Sequence, residues 1–358
     1  MRFIFKTSYE QDVRLVKHGG HVFWYGALLL LLLVAPWLFP EYWLAQLTFV
    51  LIYSIAGLGI MLLAGFTGLF SLGHAAFLGV GAYTQAVLTN AGWPFPVAMA
   101  CAGVLSAAVG WVVGLPALRV KGIYLGMATL SFGFIVEEVL ARWESVTGGN
   151  AGVRIAKPQM FGWTLATDTQ FYFLCLMVTV LATLAILNLL RSPTGRAFVA
   201  IRDSEISAQS MGIHLAHYKT LSFALSAALA GVAGALYAHK LQFISPDQFN
   251  IVQSIDLLLM IVVGGMGSVH GAFFGAIFLI TLPELIGQVK DYLPAVVGQA
   301  PGLKGLVYGI VLVAFVLFEP LGLYGRWLKV RTYLQMFPFY RKGMFKRQKS
   351  FQKSDRLR

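Results

Sequence analysis

Charge is the first thing this chain lacks. Asp, Glu, Lys and Arg make up 12% of its 358 residues, about half the share of a soluble domain, which is roughly 25%. With 58% hydrophobic residues and a mean hydropathy of +0.74, it cannot cover a globular surface in water and belongs in lipid. Acid is scarcer than base, 15 Asp and Glu against 27 Lys and Arg. No set of carboxylates repeats within the apolar runs as a proton relay requires, which counts against a proton-driven secondary transporter. The two cysteines, Cys101 and Cys175, lie in apolar stretches without metal-ligand spacing. They read as small buried hydrophobes and say nothing about redox compartment. No Walker motif, clustered metal-ligand set or Ser-His-Asp arrangement with a supporting soluble domain is found. The chain is therefore expected not to be an enzyme and to hold no cofactor. If ATP drives it, another subunit hydrolyses the nucleotide.

What is present is apolar length. A crossing needs about 20 apolar residues. Ten stretches qualify as candidates, at 22–39, 43–64, 74–91, 96–117, 122–141, 169–190, 217–238, 254–266, 272–289 and 303–319. The expected fold is an all-α polytopic membrane protein of about ten transmembrane helices. Residues 1–21 are basic and polar, and no small-x-small site follows the apolar run from Val22 to Phe39, so it reads as an uncleaved first span. Starting inside, the alternation puts Arg119 and Lys121, the loop 191–216 and the C-terminal tail on the cytoplasmic side. The loops 142–168, 239–253 and 290–302, poor in positive charge, fall outside. The division is a cytoplasmic segment 1–21, a permease domain 22–320 and a basic tail 321–358. Residues 326–358 hold eleven Lys or Arg against one Asp, interleaved with aromatics. Following directly on a span, they suit anionic lipid headgroups better than nucleic acid.

Glycine is plentiful, 38 residues, and concentrated in two places. The segments 63–74 and 263–271 carry glycine or a hydroxyl every few positions and would interrupt a helix. At membrane depth such backbone is tolerated where it lines a cavity or is buried in protein. The two are alike. His74-Ala-Ala-Phe-Leu-Gly79 and His270-Gly-Ala-Phe-Phe-Gly275 share a pattern at an offset of 196. Paired breaks in two halves, here about 40–190 and 215–320, point to a central transport site; close helix packing on small residues is the alternative. The candidate substrate path is Thr67, Ser71, Gly73, His74, Gly264, Gly265, Gly267, Ser268 and His270. Its hydroxyls and free helix-start N–H groups suit a cargo that must be released. His74 and His270 lie inside spans, where ionisable groups are functional candidates. A histidine satisfied by a nearby carbonyl is the plainer account. Glu137, Glu138, Asp256 and Glu284 lie nearer span ends and read as interfacial anchors.

The sizeable polar run in mid-chain is 195–213, basic and cytoplasmic. Weakly apolar residues, Ala197, Ala200, Ile201, Ile206, Ala208 and Met211, alternate with charge, and Gly212 supplies a stop. That pattern gives one or two short helices outside the bilayer with a glycine C-cap; a solvated loop is the alternative. Residues 205–212 resemble the coupling loop of ABC importer permeases, with Ser207 where alanine is usual and Glu205 seven residues before the glycine rather than six.

The resemblance then widens. Gly68-Leu-Phe-Ser-Leu-Gly-His-Ala-Ala-Phe77 with Gly79-Val-Gly-Ala-Tyr83, the run 119–130, Thr147-Gly-Gly-Asn-Ala-Gly152, the loop 195–213, Ala233-Gly-Ala-Leu-Tyr237, Ile244-Ser-Pro-Asp247 and Gly264-Gly-Met-Gly-Ser268 with Gly271 occur in order. Over residues 60–285 the chain resembles the permeases of Liv-type branched-chain amino acid ABC importers, on the LivM side of that family. The resemblance implies a bacterial or archaeal inner-membrane importer with a second related permease, two ATPases that bind ATP and Mg, and a periplasmic binding protein. Arg202, Asp203, Glu205, Ser207, Ala208 and Gly212 would couple to an ATPase. Thr147, Gly148, Gly149, Asn150 and Gly152 would lie near the binding protein. Branched-chain or other apolar amino acids are the implied cargo, with urea, amides or aromatic acids as alternatives. A secondary transporter or a channel needing no ATPase is the reading from another class.

Overall fold

The computed structural model describes residues 19–116, 120, 122–160, 163–164, 167–290, 303–318 and 321–336. Among the described residues the fold is all-α apart from two small antiparallel strand pairs, Val153–Arg154 with Phe243–Ile244 and Gln159–Met160 with Trp163–Thr164. The helices are α1 Gly19–Leu38, α2 Glu41–Ile60, α3 His74–Asn90, α4 Phe95–Gly114, α5 Ile123–Arg142, α6 Glu144–Thr147, α7 Asp168–Arg191, α8 Pro193–Asp203, α9 Glu205–Ser210, α10 Leu215–Leu241, α11 Ile251–Gly264, α12 Val269–Lys290, α13 Leu303–Phe318 and α14 Gly322–Met336. A π-helical stretch, Met61–Phe66, extends α2.

Among the described residues, seven helical segments are long and apolar enough to cross a bilayer: Glu41–Phe66, Phe95–Gly114, Ile123–Arg142, Asp168–Arg191, Leu215–Leu241, Pro246–Gly264 and Val269–Gln288. The expected runs 22–39, 74–91 and 303–319 fall on α1, α3 and α13, whose apolar stretches Val22–Leu38, His74–Asn90 and Gly305–Phe315 are shorter. α3 has 17 residues, about 26 Å at the α-helical rise, less than a hydrocarbon core of roughly 30 Å. Arg119, Lys121, the loop 291–302 and the tail beyond Met336 lie outside the described residues, so their expected sides of the membrane are not decided by the fold.

α10, 27 residues long, is the centre of the bundle and packs against α2, α3 and α4. Small residues permit this. A Cβ on Gly81 would lie 2.2 Å from the Gly231 carbonyl oxygen, and one on Gly231 would lie 2.3 Å from Ser106 Oγ. Lipid tails are as apolar as leucine, so close van der Waals fit between helices replaces the hydrophobic drive. Tyr172, Phe77, Phe95 and Phe223 fill the interior, and Cys175 is buried with them.

The bundle has two distinct ends. At one, Tyr25 of α1 meets His270 at the start of α12, and Tyr324 of α14 stacks on the same ring. At the other, Tyr42 donates to Glu284, Asn90 Nδ2 donates to the Arg154 carbonyl at 3.0 Å, and Lys240 bridges Asp168 at 3.2 Å. The connection α8–α9 belongs to the first end and the strand pair Val153–Arg154/Phe243–Ile244 to the second.

Candidate coupling and transport site

The polar run folds as two helices with a hinge residue between them. Ser192 caps α8 by accepting from Gly195 N, and Pro193 takes the first helical position, where a missing N–H costs nothing. At Ser204 the backbone turns extended, and its hydroxyl accepts from Ser207 N at 3.3 Å to begin α9. α9 ends in a Schellman motif: Gly212 has φ +84°, Ile213 N bonds the Ala208 carbonyl and Gly212 N bonds the Gln209 carbonyl, both at 3.0 Å. Ala197, Phe198, Ile201 and Ala208 turn inward and are buried. Arg202, Asp203, Ser207 and Gly212 are exposed, and two apolar side chains stand out, Ile206 at 81% and Met211 at 84%.

Two of the candidate coupling residues point back into their own chain. Glu205 Oε1 lies 2.7 Å from Lys219 Nζ on α10, with side-chain exposures of 23% and 3%. A buried ammonium is stable only with such a partner. Arg202 donates from Nη1 to the Gly65 carbonyl at 3.1 Å while its other nitrogens hold Asp203. That carbonyl is one of those the π-helical stretch leaves open at its end. Thr67 Oγ1 donates to the Leu62 carbonyl and Leu69 N to the Leu63 carbonyl, both at 3.0 Å.

The glycine-rich segments meet at the same place. The chain is non-helical between Phe66 and His74, and again between Gly264 and Val269, where Gly265 and Gly267 have φ +111° and +81°. A Cβ on Gly65 would lie 2.8 Å from Gly267 N, and one on Gly267 would lie 3.3 Å from Arg202 Nη1. Gly264 is packed against the Gly271 carbonyl, where a Cβ would come to 1.9 Å. Ser268 Oγ accepts from Gly271 N at 3.0 Å and donates to the Gly265 carbonyl, which starts α12.

His74 and His270 both stand in the first turn of a helix, and there the likeness ends. His74 is fully buried, 3.5 Å from Ser226 Oγ, whose hydroxyl donates to the Gly59 carbonyl at 2.7 Å. Its Nδ1 and Ser71 Oγ are buried without a hydrogen-bond partner among the described residues. His270 is half-buried, 2.7 Å from the Tyr25 hydroxyl and stacked on Tyr324 at 5.6 Å. Gly73 lies against α5, where the Thr129 hydroxyl also accepts from Leu72 N at 3.0 Å.

The candidate loop 147–152 is an internally braced turn. Thr147 is buried and donates to the carbonyls of Leu140 and Trp143, while Gly149 N donates back to its hydroxyl. Gly148, Gly149 and Gly152 all have positive φ, and Gly152 abuts the Ile244 carbonyl. Asn150 alone of the five candidates is well exposed.

Apolar crossing helices, two adjoining helix interruptions and a capped polar helix pair at one end define a multi-pass membrane permease. The profile of the family described as "Branched-chain amino acid transport system / permease component" matches residues 42–316, and the chain belongs to that family. It is 34% identical to the high-affinity branched-chain amino acid transport system permease protein LivM of Salmonella typhimurium, over 77% of this chain and 68% of that protein. It is 33% identical to LivM of Escherichia coli K12, over 83% and 73%. LivH of the same strain is 26% identical over 76% of this chain and 91% of its own length. No solved structure matches.

Proposed function

We propose that this chain is one of two related permeases of an ABC importer in a bacterial or archaeal inner membrane, with about ten crossings and both termini cytoplasmic. It passes branched-chain or other apolar amino acids from a periplasmic binding protein to the cytoplasm. Two partner ATPases bind ATP and Mg and drive it. The identity to LivM proteins supports the cargo, and the LivH likeness supports a second, related permease. The end bearing Arg191, Arg196, Arg202 and Lys219 against Asp203 and Glu205 suits the positive cytoplasmic side.

One observation carries the mechanism: Arg202 of the loop is hydrogen-bonded to Gly65 at one helix interruption and lies against Gly267 at the other. Ile206 on α9 and Met211 just past its end offer apolar knobs to a cleft of the ATPase. When the ATPases close, a push on α9 reaches α10 through Glu205–Lys219 and reaches both interruptions through Arg202. Irregular backbone at a helix end shifts more easily than a helix ladder, so the interruptions yield and access alternates. The test is uptake of radiolabelled leucine into proteoliposomes holding this chain with its partner permease, ATPases and binding protein. ATP-dependent uptake is expected. Flux through this chain alone, indifferent to ATP, would return the reading to a secondary transporter or channel. ATPase stimulation without leucine uptake would keep the importer and move the cargo to urea, amides or aromatic acids.

A further inference from the structure

Between α2, α11, α12 and α13 lies a cavity of about 340 Å³, away from both helix interruptions. Four polar side chains share its wall: Tyr53 from α2, Gln253 and Asp256 from α11, and Tyr308 from α13. Gln253 Nε2 donates to the Tyr53 hydroxyl at 3.0 Å, and the Tyr308 hydroxyl donates to Asp256 Oδ1 at 3.4 Å. The opposite wall is aliphatic, made by Leu279, Ile280 and Pro283 of α12 with Gly305. Asp256 stands on the second turn of α11, and Tyr53 is twelve residues from the outer start of α2, midway along that span. The cavity therefore lies at membrane depth rather than at an end of the bundle, and it opens sideways at α13, where Gly305 is exposed. Asp256, which the sequence suggests as an interfacial anchor, lines it.

Pro283 adds one more group. It sits inside α12 and has no N–H, so the Leu279 carbonyl one turn before it loses its helical donor. Leu279 lines the same cavity. The site thus offers an excess of acceptors: a carboxylate, a carbonyl without its ladder bond and phenol oxygens. It offers few donors. A primary amide carries two N–H groups, and Tyr53 takes one of those of Gln253. An intramembrane carboxylate facing a cavity marks a path for a polar or cationic cargo.

We infer that this cavity is a transit site for an aliphatic α-amino acid, which rests on the importer reading above. Asp256 and the Leu279 carbonyl receive the ammonium. The second amide N–H of Gln253 is left for the carboxylate. Leu279, Ile280 and Pro283 face the branched side chain. The volume admits one such molecule with water. A single carboxylate, already shared with the Tyr308 hydroxyl, beside an apolar wall holds the cargo weakly, as a path that releases it requires.

The test is cysteine protection in the full chain with Cys101 and Cys175 replaced by serine, in lipid nanodiscs, without ATPase or binding protein. Ile280→Cys is labelled with a small permeant maleimide. Millimolar leucine is expected to slow labelling at least threefold. 3-Methylbutylamine, which keeps the ammonium and the branched chain, should protect, and 4-methylpentanoate, which lacks the ammonium, should not. In Asp256→Asn, labelling without ligand should match the parent while protection by the amine disappears. Tyr308→Phe, a milder change, should weaken protection without removing it. Three results would each overturn the inference: no labelling of Ile280→Cys, labelling indifferent to leucine, or undiminished protection in Asp256→Asn. Because no ATP is involved, a failure here leaves the ATP-driven uptake test standing, and a failure there leaves this one readable.

Discussion

Replacing Lys219 by methionine removes an ammonium and keeps most of the stem. In the native chain that ammonium is 2.7 Å from Glu205 Oε1, with exposures of 3% and 23% for the two side chains. Breaking a fully buried pair from one side costs about 3–5 kcal/mol, because the remaining charge is left in a poor solvent. Glu205 is a quarter exposed and can be re-solvated, so the loss here is about 2 kcal/mol. At 1.4 kcal/mol per tenfold, that raises the population of undocked α9 about 30-fold. The paired readouts are leucine uptake by the assembled importer and amide hydrogen exchange in residues 205–210. Uptake should fall severalfold, ATP hydrolysis by the partners should persist, and exchange in α9 should accelerate. The double variant Lys219→Met with Glu205→Leu should recover part of the loss, since it leaves no lone charge. Uptake within twofold of the parent together with unchanged exchange would refute the link between the two helices. A fully additive double variant would refute the pairing.

Other outcomes follow from the same contacts. Arg202→Gln shortens the reach to the Gly65 carbonyl and should lower uptake per ATP hydrolysed more than it lowers ATPase activity; a parallel fall in both would place Arg202 on the ATPase side alone. Ile206→Ser and Met211→Ser remove exposed knobs and should weaken ATPase association, read by co-purification, with no change in thermal stability of the isolated permease. A cysteine at His270, half-buried beside Tyr25, should react with a permeant thiol reagent faster than one at Ser71, which is fully buried. Reaction at Ser71→Cys only when ATP and the loaded binding protein are present would show that the first interruption opens during the cycle.

The helices were largely legible in the sequence because lipid imposes one rule. Backbone polar groups at membrane depth must be satisfied internally, so apolar length translates into helix. The polar loop was legible for a local reason. Ser192, Ser204 and Gly212 are cap residues at the spacing of two short helices, and caps act within a turn of chain. What the residues 202–219 do with their charges was not legible. Glu205 finds its partner 14 residues later and Arg202 finds its acceptor 137 residues earlier; neither distance has a periodicity. The same limit hid the polar cavity. Tyr53, Asp256 and Tyr308 come from three helices separated by some 200 and 52 positions, and Asp256 alone reads as an anchor near a span end. The loop 147–152 shows the converse. Thr147 stood out as a candidate contact for a partner, yet its hydroxyl is spent on the turn itself.

Two glycines of the site separate space from backbone conformation. At Gly212 φ is +84° and a Cβ would meet nothing within 4 Å. An L-residue there pays only the left-handed backbone cost, about 1 kcal/mol for alanine, and asparagine tolerates that region better. At Gly73 the situation is reversed. Its φ of −111° is open to any residue, but a Cβ would lie 2.0 Å from the Thr129 carbonyl oxygen and 2.9 Å from its carbon. Backbone cannot swing aside as a flexible side chain can, so α3 and α5 must separate there. Overpacking of this kind costs about 1–3 kcal/mol and more where backbone must shift. Gly212→Asn should therefore behave like the parent in thermal unfolding and uptake, and Gly212→Ala should lose a few degrees at most. Gly73→Ala should be the worst of the three, with a lower unfolding midpoint and loss of the Leu72–Thr129 hydrogen bond. If Gly73→Ala is as stable and active as Gly212→Asn, the close approach of α3 to α5 is not a fixed feature of the resting protein. The first interruption would then have to be placed in motion before any push from the loop.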